Sequence, residues 1–137
     1  MIDRLPPRWL QAAAVLWTLG ILVAVTLPGD SVPDTPSVIG FDKIVHFVMF
    51  AGFGTLWMEA LSARRLSWVQ WSFRARFGAV LTVGAGLAVG TELIQYAFLE
   101  SRHGDVFDVV ANLLGLMTAL AVMTWRHRRT AHARSSR

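Results

Sequence analysis

Four apolar stretches, Trp9–Leu27, Ile44–Leu61, Phe77–Phe98 and Val109–Trp125, hold almost none of this chain's charges. Each is close to the roughly 20 residues an α-helix needs to cross about 30 Å of hydrocarbon. A backbone inside lipid has no water to bond and must satisfy its own N–H and C=O groups, so runs of this kind are helices. Together they use more than half of the 137 residues, which leaves no room for a separate soluble domain. The composition agrees: 54% of residues are hydrophobic and 16% are charged, where a soluble domain carries about a quarter charged residues. The expected fold is all-α, a polytopic membrane protein built as a four-transmembrane-helix bundle.

Arg4 and Arg8 precede the first run, as they would in a signal peptide. The run is too long for a signal core, no small-x-small cleavage site follows it, and the chain leaves through Leu27-Pro28-Gly29, so it reads as a retained helix. There are no cysteines, which excludes disulfide and thiol chemistry and leaves the redox compartment open.

Orientation follows from the basic residues. Arg4, Arg8, Arg64, Arg65, Arg74, Arg76, Arg126, Arg128, Arg129, Arg134 and Arg137 are 11 of the 13, and all fall on one side; Lys43 and Arg102 fall on the other. The positive-inside rule puts the 11 in the cytoplasm, giving an N-in/C-in topology. Trp9, Trp57, Trp68, Trp71 and Trp125 sit near that same boundary, as an aromatic belt would. The net charge of +4 therefore reflects topology and contact with anionic lipid heads, and no nucleic-acid partner is expected.

The connection Ser62–Arg76 places Leu66, Val69 and Phe73 at helical spacing among arginines and tryptophans. It reads either as a short helix in the headgroup layer or as an irregular basic loop. Pro28–Phe41, with three prolines and two glycines, is expected to be extended and turned. The basic tail 126–137 is expected to lack regular structure.

The polar residues of the second, third and fourth helices meet at one depth. Asp42 and His46 stand a turn apart on one face, as do Glu92 and Gln95. Asp105, Asp108 and Asn112 share one side of the fourth helix, and the loop before them carries Glu100, Arg102 and His103. At 1.5 Å per residue Glu92 and Asn112 lie roughly 9 Å from their helix ends. The opposite halves of these helices are nearly all apolar, apart from Glu59, which is within reach of Arg64 or Arg65. The expectation is a polar bowl in the outer leaflet over an apolar floor. Gly86 and Gly90, and Ala111, Gly115 and Ala119, recur every four residues and are candidates for close helix packing. The first helix, with only Gln11, Thr18 and Thr26 as polar members, is expected to be scaffold.

The segments Asp42-Lys43-x-x-His46-Phe47, Glu92-x-x-Gln95 and Arg102-x-x-Asp105-Val106-x-Asp108-Val109-x-Ala111-Asn112-x-x-Gly115 resemble the VanZ-like family of bacterial membrane proteins. The likeness runs from about Asp42 to Gly115, with the first helix matching in character only. The chain departs from the family in having Glu100-Ser101 where members often have Pro-Gly before the loop arginine. The resemblance implies a VanZ-like transmembrane domain over 1–125 and a place in the cytoplasmic (inner) membrane of a bacterium. It implies a link to the cell envelope and to teicoplanin-type glycopeptide resistance, and kinship with enzymes acting on lipid head groups.

Asp42, Asp105 and Asp108 have a structural explanation at helix N-termini, as caps and dipole partners. Lys43 reads as a snorkelling anchor. His46, Glu92 and Asn112 put polar groups inside the bilayer, where an ionised residue at mid-depth costs about 2.5–3.5 kcal/mol even on mild scales. Interhelical hydrogen bonds in membranes are often worth under about 1 kcal/mol, so stability is a poor motive for so many. The expected catalytic groups are His46 as general base or nucleophile, with Glu92 and Asp108. The expected substrate-binding groups are Asp42, Gln95, Arg102, Asp105 and Asn112, with Arg102 and two helix N-termini suited to an anionic head group. The substrate class is a membrane lipid or lipid-linked wall precursor.

No cofactor or metal is expected. His46 with Glu92, Asp105 and Asp108 are permissible metal ligands, but no local spacing demands a metal. A transporter would need polar residues through the full thickness and repeat symmetry, and the sequence has neither. A non-catalytic binding or accessory protein could use the same bowl, and the apolar faces leave homo-oligomers open.

Overall fold

The computed structural model describes residues 6–26, 40–62, 71–98 and 105–135. They form four helices and, among the described residues, no strand: α1 (Pro7–Thr26), α2 (Phe41–Ser62), α3 (Phe73–Phe98) and α4 (Val106–Ser135). All four are long and apolar enough to cross a membrane. Their outward side chains agree, since Leu16, Val23, Val83, Leu93 and Leu114 are each at least half exposed. In an aqueous protein such a surface would aggregate; in a bilayer it faces acyl chains.

Local chemistry sets the helix starts. Pro7 opens α1 as its first helical residue, where its missing N–H costs nothing, and Trp9 N–H donates to the Pro6 carbonyl. Gly40, at φ 94°, turns the chain into α2 in a conformation that disfavours any residue with a Cβ, and its carbonyl accepts from Ile44 N–H. Ser72 caps α3, its hydroxyl accepting from Ala75 N–H at 3.2 Å. Asp105 caps α4, its carboxylate accepting from Phe107 N–H at 2.8 Å.

Two boundaries differ from the sequence reading. α3 begins at Phe73, so Arg74 and Arg76 belong to its first turns rather than to the connection; the rest of that connection, 63–70, lies outside the described residues. α4 continues through Arg126 and Arg128 to Ser135, where a tail without regular structure was expected. Contacts explain the extension. His127 stacks on Phe73 at 4.2 Å, Arg129 covers the Trp125 ring at 3.9 Å, and Arg126 pairs with Glu59 at 2.8 Å. Glu59 thus takes its partner from α4.

The main core is an apolar cluster with Ile21, Phe50, Phe53, Leu116 and Leu120 almost wholly buried, and a smaller one joins Leu10 and Ala14 of α1 to Ala60 of α2. α2 and α4 run parallel and form its most intimate pair. A Cβ on Gly115 would strike the Phe47 carbonyl, and one on Gly54 would lie 2.9 Å from the Ala119 side chain. Ala111, Gly115 and Ala119 therefore pack as expected. Gly86 and Gly90 do not: a Cβ at either meets nothing within 4 Å. On α3 the close-packed positions are Gly84, against Leu116, and the fully buried Ala88. α1 is pinned to α2 by indole hydrogen bonds, from Trp17 to the Met49 carbonyl at 2.8 Å and from Trp57 to the Thr18 hydroxyl at 3.0 Å.

Gly115→Ala should destabilise the protein by about 1–3 kcal/mol, the usual range for overpacking, because its methyl meets backbone. Gly86→Ala should leave stability unchanged or raised. Thermal unfolding followed by circular dichroism in detergent measures both.

Candidate functional site

The polar residues gather where α2 and α4 begin and α3 ends. In the first turns of α2, Asp42, Lys43 and His46 face α4, which presents Asp108 and Asn112 one turn apart. Lys43 is the hub. Its ammonium donates to Asp105 Oδ2 at 2.7 Å and to Asp108 Oδ1 at 2.8 Å, and lies 3.9 Å from Asp42. Asp105 therefore does two things at once: one oxygen caps α4 and the other receives Lys43.

Beneath this pair lies His46, only 7% exposed. Its Nδ1 stands 3.0 Å from Asn112 Oδ1. An amide oxygen can only accept, so Nδ1 carries the proton and a neutral imidazole keeps its lone pair on Nε2. That nitrogen looks toward two carboxylates, Asp42 Oδ1 at 3.6 Å and Asp108 Oδ2 at 3.8 Å, both beyond hydrogen-bond length. Glu92, from α3, is buried with Oε1 3.9 Å from Nδ1, and it also interacts with the Asp105 backbone. Asn112 is completely buried, and its Nδ2 has no partner among the described residues.

Of the residues expected at the site, Asp42, His46, Glu92, Asp105, Asp108 and Asn112 are brought together. Gln95 is buried on the same end of α3, but its Nε2 donates to the Val25 carbonyl of α1 at 3.3 Å, tying two helices. It was expected to donate to substrate; this bond is structural. Arg102, with Glu100 and His103, lies outside the described residues.

Sequence reasoning treated Lys43 as a snorkelling anchor and missed its place at the centre. The available signal was charge: Asp105 and Asp108, three apart on α4, present two carboxylates on one face and require a cation. Among the described residues, the three carboxylate or imidazole groups able to converge on one ion are Asp42, His46 and Asp108, with ligand atoms within 4.8 Å of one another. Asp105, named with His46, Glu92 and Asp108 as a permissible ligand, is committed to the helix cap and to Lys43.

A multi-helix membrane bundle with a buried histidine, amide and carboxylates at one end is the class these features define. The VanZ/LLP1 family profile matches residues 7–127, nearly the whole chain, and the protein belongs to that family. An uncharacterised protein of the fission yeast Schizosaccharomyces pombe is 34% identical over 90 residues, 64% of this chain and 49% of the relative. The chain thus spans about half the length of that curated relative. The likeness extends beyond bacteria, so family membership does not place this chain in a bacterial membrane. No solved structure matches.

Lys43→Met should cost about 1.5–3 kcal/mol, since it strands Asp108 while the partly exposed lysine screens some of the effect. Asp105 adds a pH signature. The Lys43 ammonium, and then the Phe107 N–H, hold its carboxyl below the ordinary range. Its contribution is complete above the unfolded value of about 3.9 and is lost as pH falls through the lower folded value. Melting temperature should therefore drop on the acid side of pH 4, and Asp105→Asn should flatten that drop.

Proposed function

We propose that this protein acts on the head group of a membrane lipid or lipid-linked precursor at the leaflet facing the α2 and α4 N-termini, with His46 as the reacting group. The observation that carries this reading is the held imidazole. Asn112 fixes the Nδ1 proton, and Nε2 faces a gap to Asp42 and Asp108 too wide for direct hydrogen bonds. A water or hydroxyl in that gap would meet a base on one side and carboxylate acceptors on the other.

The roles follow from position. His46 Nε2 takes one proton of an attacking water, whose second O–H donates to Asp108, itself anchored through its other oxygen by Lys43. The water oxygen bonds to the head-group phosphorus or carbonyl carbon, the ester bond there breaks, and the imidazolium returns the proton to the departing oxygen. Asp42 is two-thirds exposed and faces the substrate side. Asn112 Nδ2, without a partner among the described residues, is a donor for charge developing on substrate oxygen. Glu92 stabilises the imidazolium once it forms. The positive ends of α2 and α4, with Arg102 as an expected contributor from the loop, suit a phosphate-bearing head. Phe50 and the core below supply the apolar floor. The distribution of arginines supports an N-in/C-in topology, which would put this site on the outer leaflet of a bacterial cytoplasmic membrane. An envelope role touching glycopeptide sensitivity belongs to the same reading through the family likeness.

The test is lipid mass spectrometry of what co-purifies with wild type and with His46→Ala, both checked for intact folding. A phosphate-bearing lipid enriched only on the variant is the expected trapped substrate. The same lipid on both would replace catalysis with binding, and none on either would overturn the proposal. Asn112→Leu should reduce turnover of any substrate so identified by about a hundredfold, since the proton-transfer contribution it supports is typically 10²–10⁴-fold.

A further inference from the structure

At the opposite, arginine-rich end a cavity of about 500 Å³ opens between the end of α2, the start of α3 and the extension of α4. It shares no residue with the histidine site. Its described charged side chains are Glu59, Arg76 and Arg126, with His127 beside them. Glu59 and Arg126 neutralise each other through their 2.8 Å ion pair. Arg76 is left over. Its guanidinium lies 5.8 Å from the Phe73 ring centroid, and its Nε is buried without a hydrogen-bond partner. A guanidinium stays charged at any physiological pH, and a buried N–H with nothing to bond is costly. Among the described residues, the cavity therefore holds an unbalanced cation with a donor to satisfy.

Two further features define what would satisfy it. The first turn of α3, the positive end of a 26-residue helix, forms one wall through Phe73 and Arg76. The opposite wall is apolar: Met58 and Met123 line the cavity and belong to the buried core. A fork of guanidinium donors next to a helix N-terminus favours a phosphate, and the apolar wall favours one that carries a lipid body.

We propose that this cavity binds a phosphate group presented by an acidic phospholipid, with Arg76 as the principal ligand. The site is independent of the histidine cluster and stands or falls without it. Arg126, already paired, shapes the cavity, and His127, stacked on Phe73, fixes the wall from which Arg76 projects.

The experiment is native mass spectrometry of the full chain in detergent, titrated with phosphatidylglycerol, phosphatidylcholine or inorganic phosphate. Wild type should retain phosphatidylglycerol over phosphatidylcholine. Arg76→Gln should weaken that retention about tenfold or more, the scale of one charge-assisted bond, with the thermal unfolding curve unchanged. Ala131→Phe, which fills the cavity from α4 without touching the arginine, should weaken it similarly. Displacement by millimolar inorganic phosphate would support the phosphate site and assign it to a soluble ion; resistance to displacement would assign it to the lipid. Equal retention of the two lipids, or undiminished phosphatidylglycerol binding in both variants, would overturn the proposal.

Discussion

The backbone contact between Gly115 and Phe47 is what the rest of the bundle depends on. Only a residue without a side chain lets α4 approach α2 so closely at that level. Because the two helices run parallel, the contact fixes one register along the whole pair. Residue i of α2 meets residue i plus 65 to 67 of α4 in the Lys43–Asp108, His46–Asn112 and Glu59–Arg126 pairs. The histidine site, one turn from this contact, and the ion pair at the other end share the register it sets.

That register separates the polar residues into two layers with different physics. Lys43, Asp105 and Asp42 lie at the rim and are partly exposed, so their charges are shared with water and head groups. His46, Glu92 and Asn112 lie beneath, where solvent is excluded and each polar atom needs a protein or ligand partner. Asp108 joins the layers, with one oxygen on Lys43 and the other turned toward His46. The lysine thereby limits the repulsion that a buried carboxylate would meet from Asp42 and Glu92, and leaves the imidazole uncommitted at Nε2.

Much of this was legible in the chain itself. Four apolar runs declared the helices, and the clustering of Asp42, His46, Glu92, Asp108 and Asn112 at one end followed from their distance to the helix termini. What periodicity could not supply was the rotation of each helix against its neighbours. Gly86 and Gly90 satisfy the small-residue pattern as well as Gly84 and Ala88 do, yet only the second pair is turned into the packed interior. Gln95 shares a face with Glu92 but is close enough to α1 to be captured by the Val25 carbonyl. Lys43 looked like an anchor because its partners are more than 60 residues away. The helical course of 126–135 was hidden for the same reason, since its basic composition suggests solvation until Phe73 and Glu59 are seen to hold it.

The two ends of the bundle also show why a small membrane protein can place chemistry at one face alone. Ion pairs inside lipid are tolerated where charges balance locally, and at the arginine-rich end Glu59 balances Arg126 but not Arg76. At the other end Asp42, Glu92, Asp105 and Asp108 outnumber Lys43 among the described residues, so balance requires protons, a cationic loop or a ligand. A purely structural network would be selected toward neutrality, because each uncompensated carboxylate raises the cost of insertion. An excess of carboxylates around a buried histidine is instead suited to holding protons or cationic groups in transit, and that imbalance is a physical reason to look for chemistry at the α2–α4 entrance.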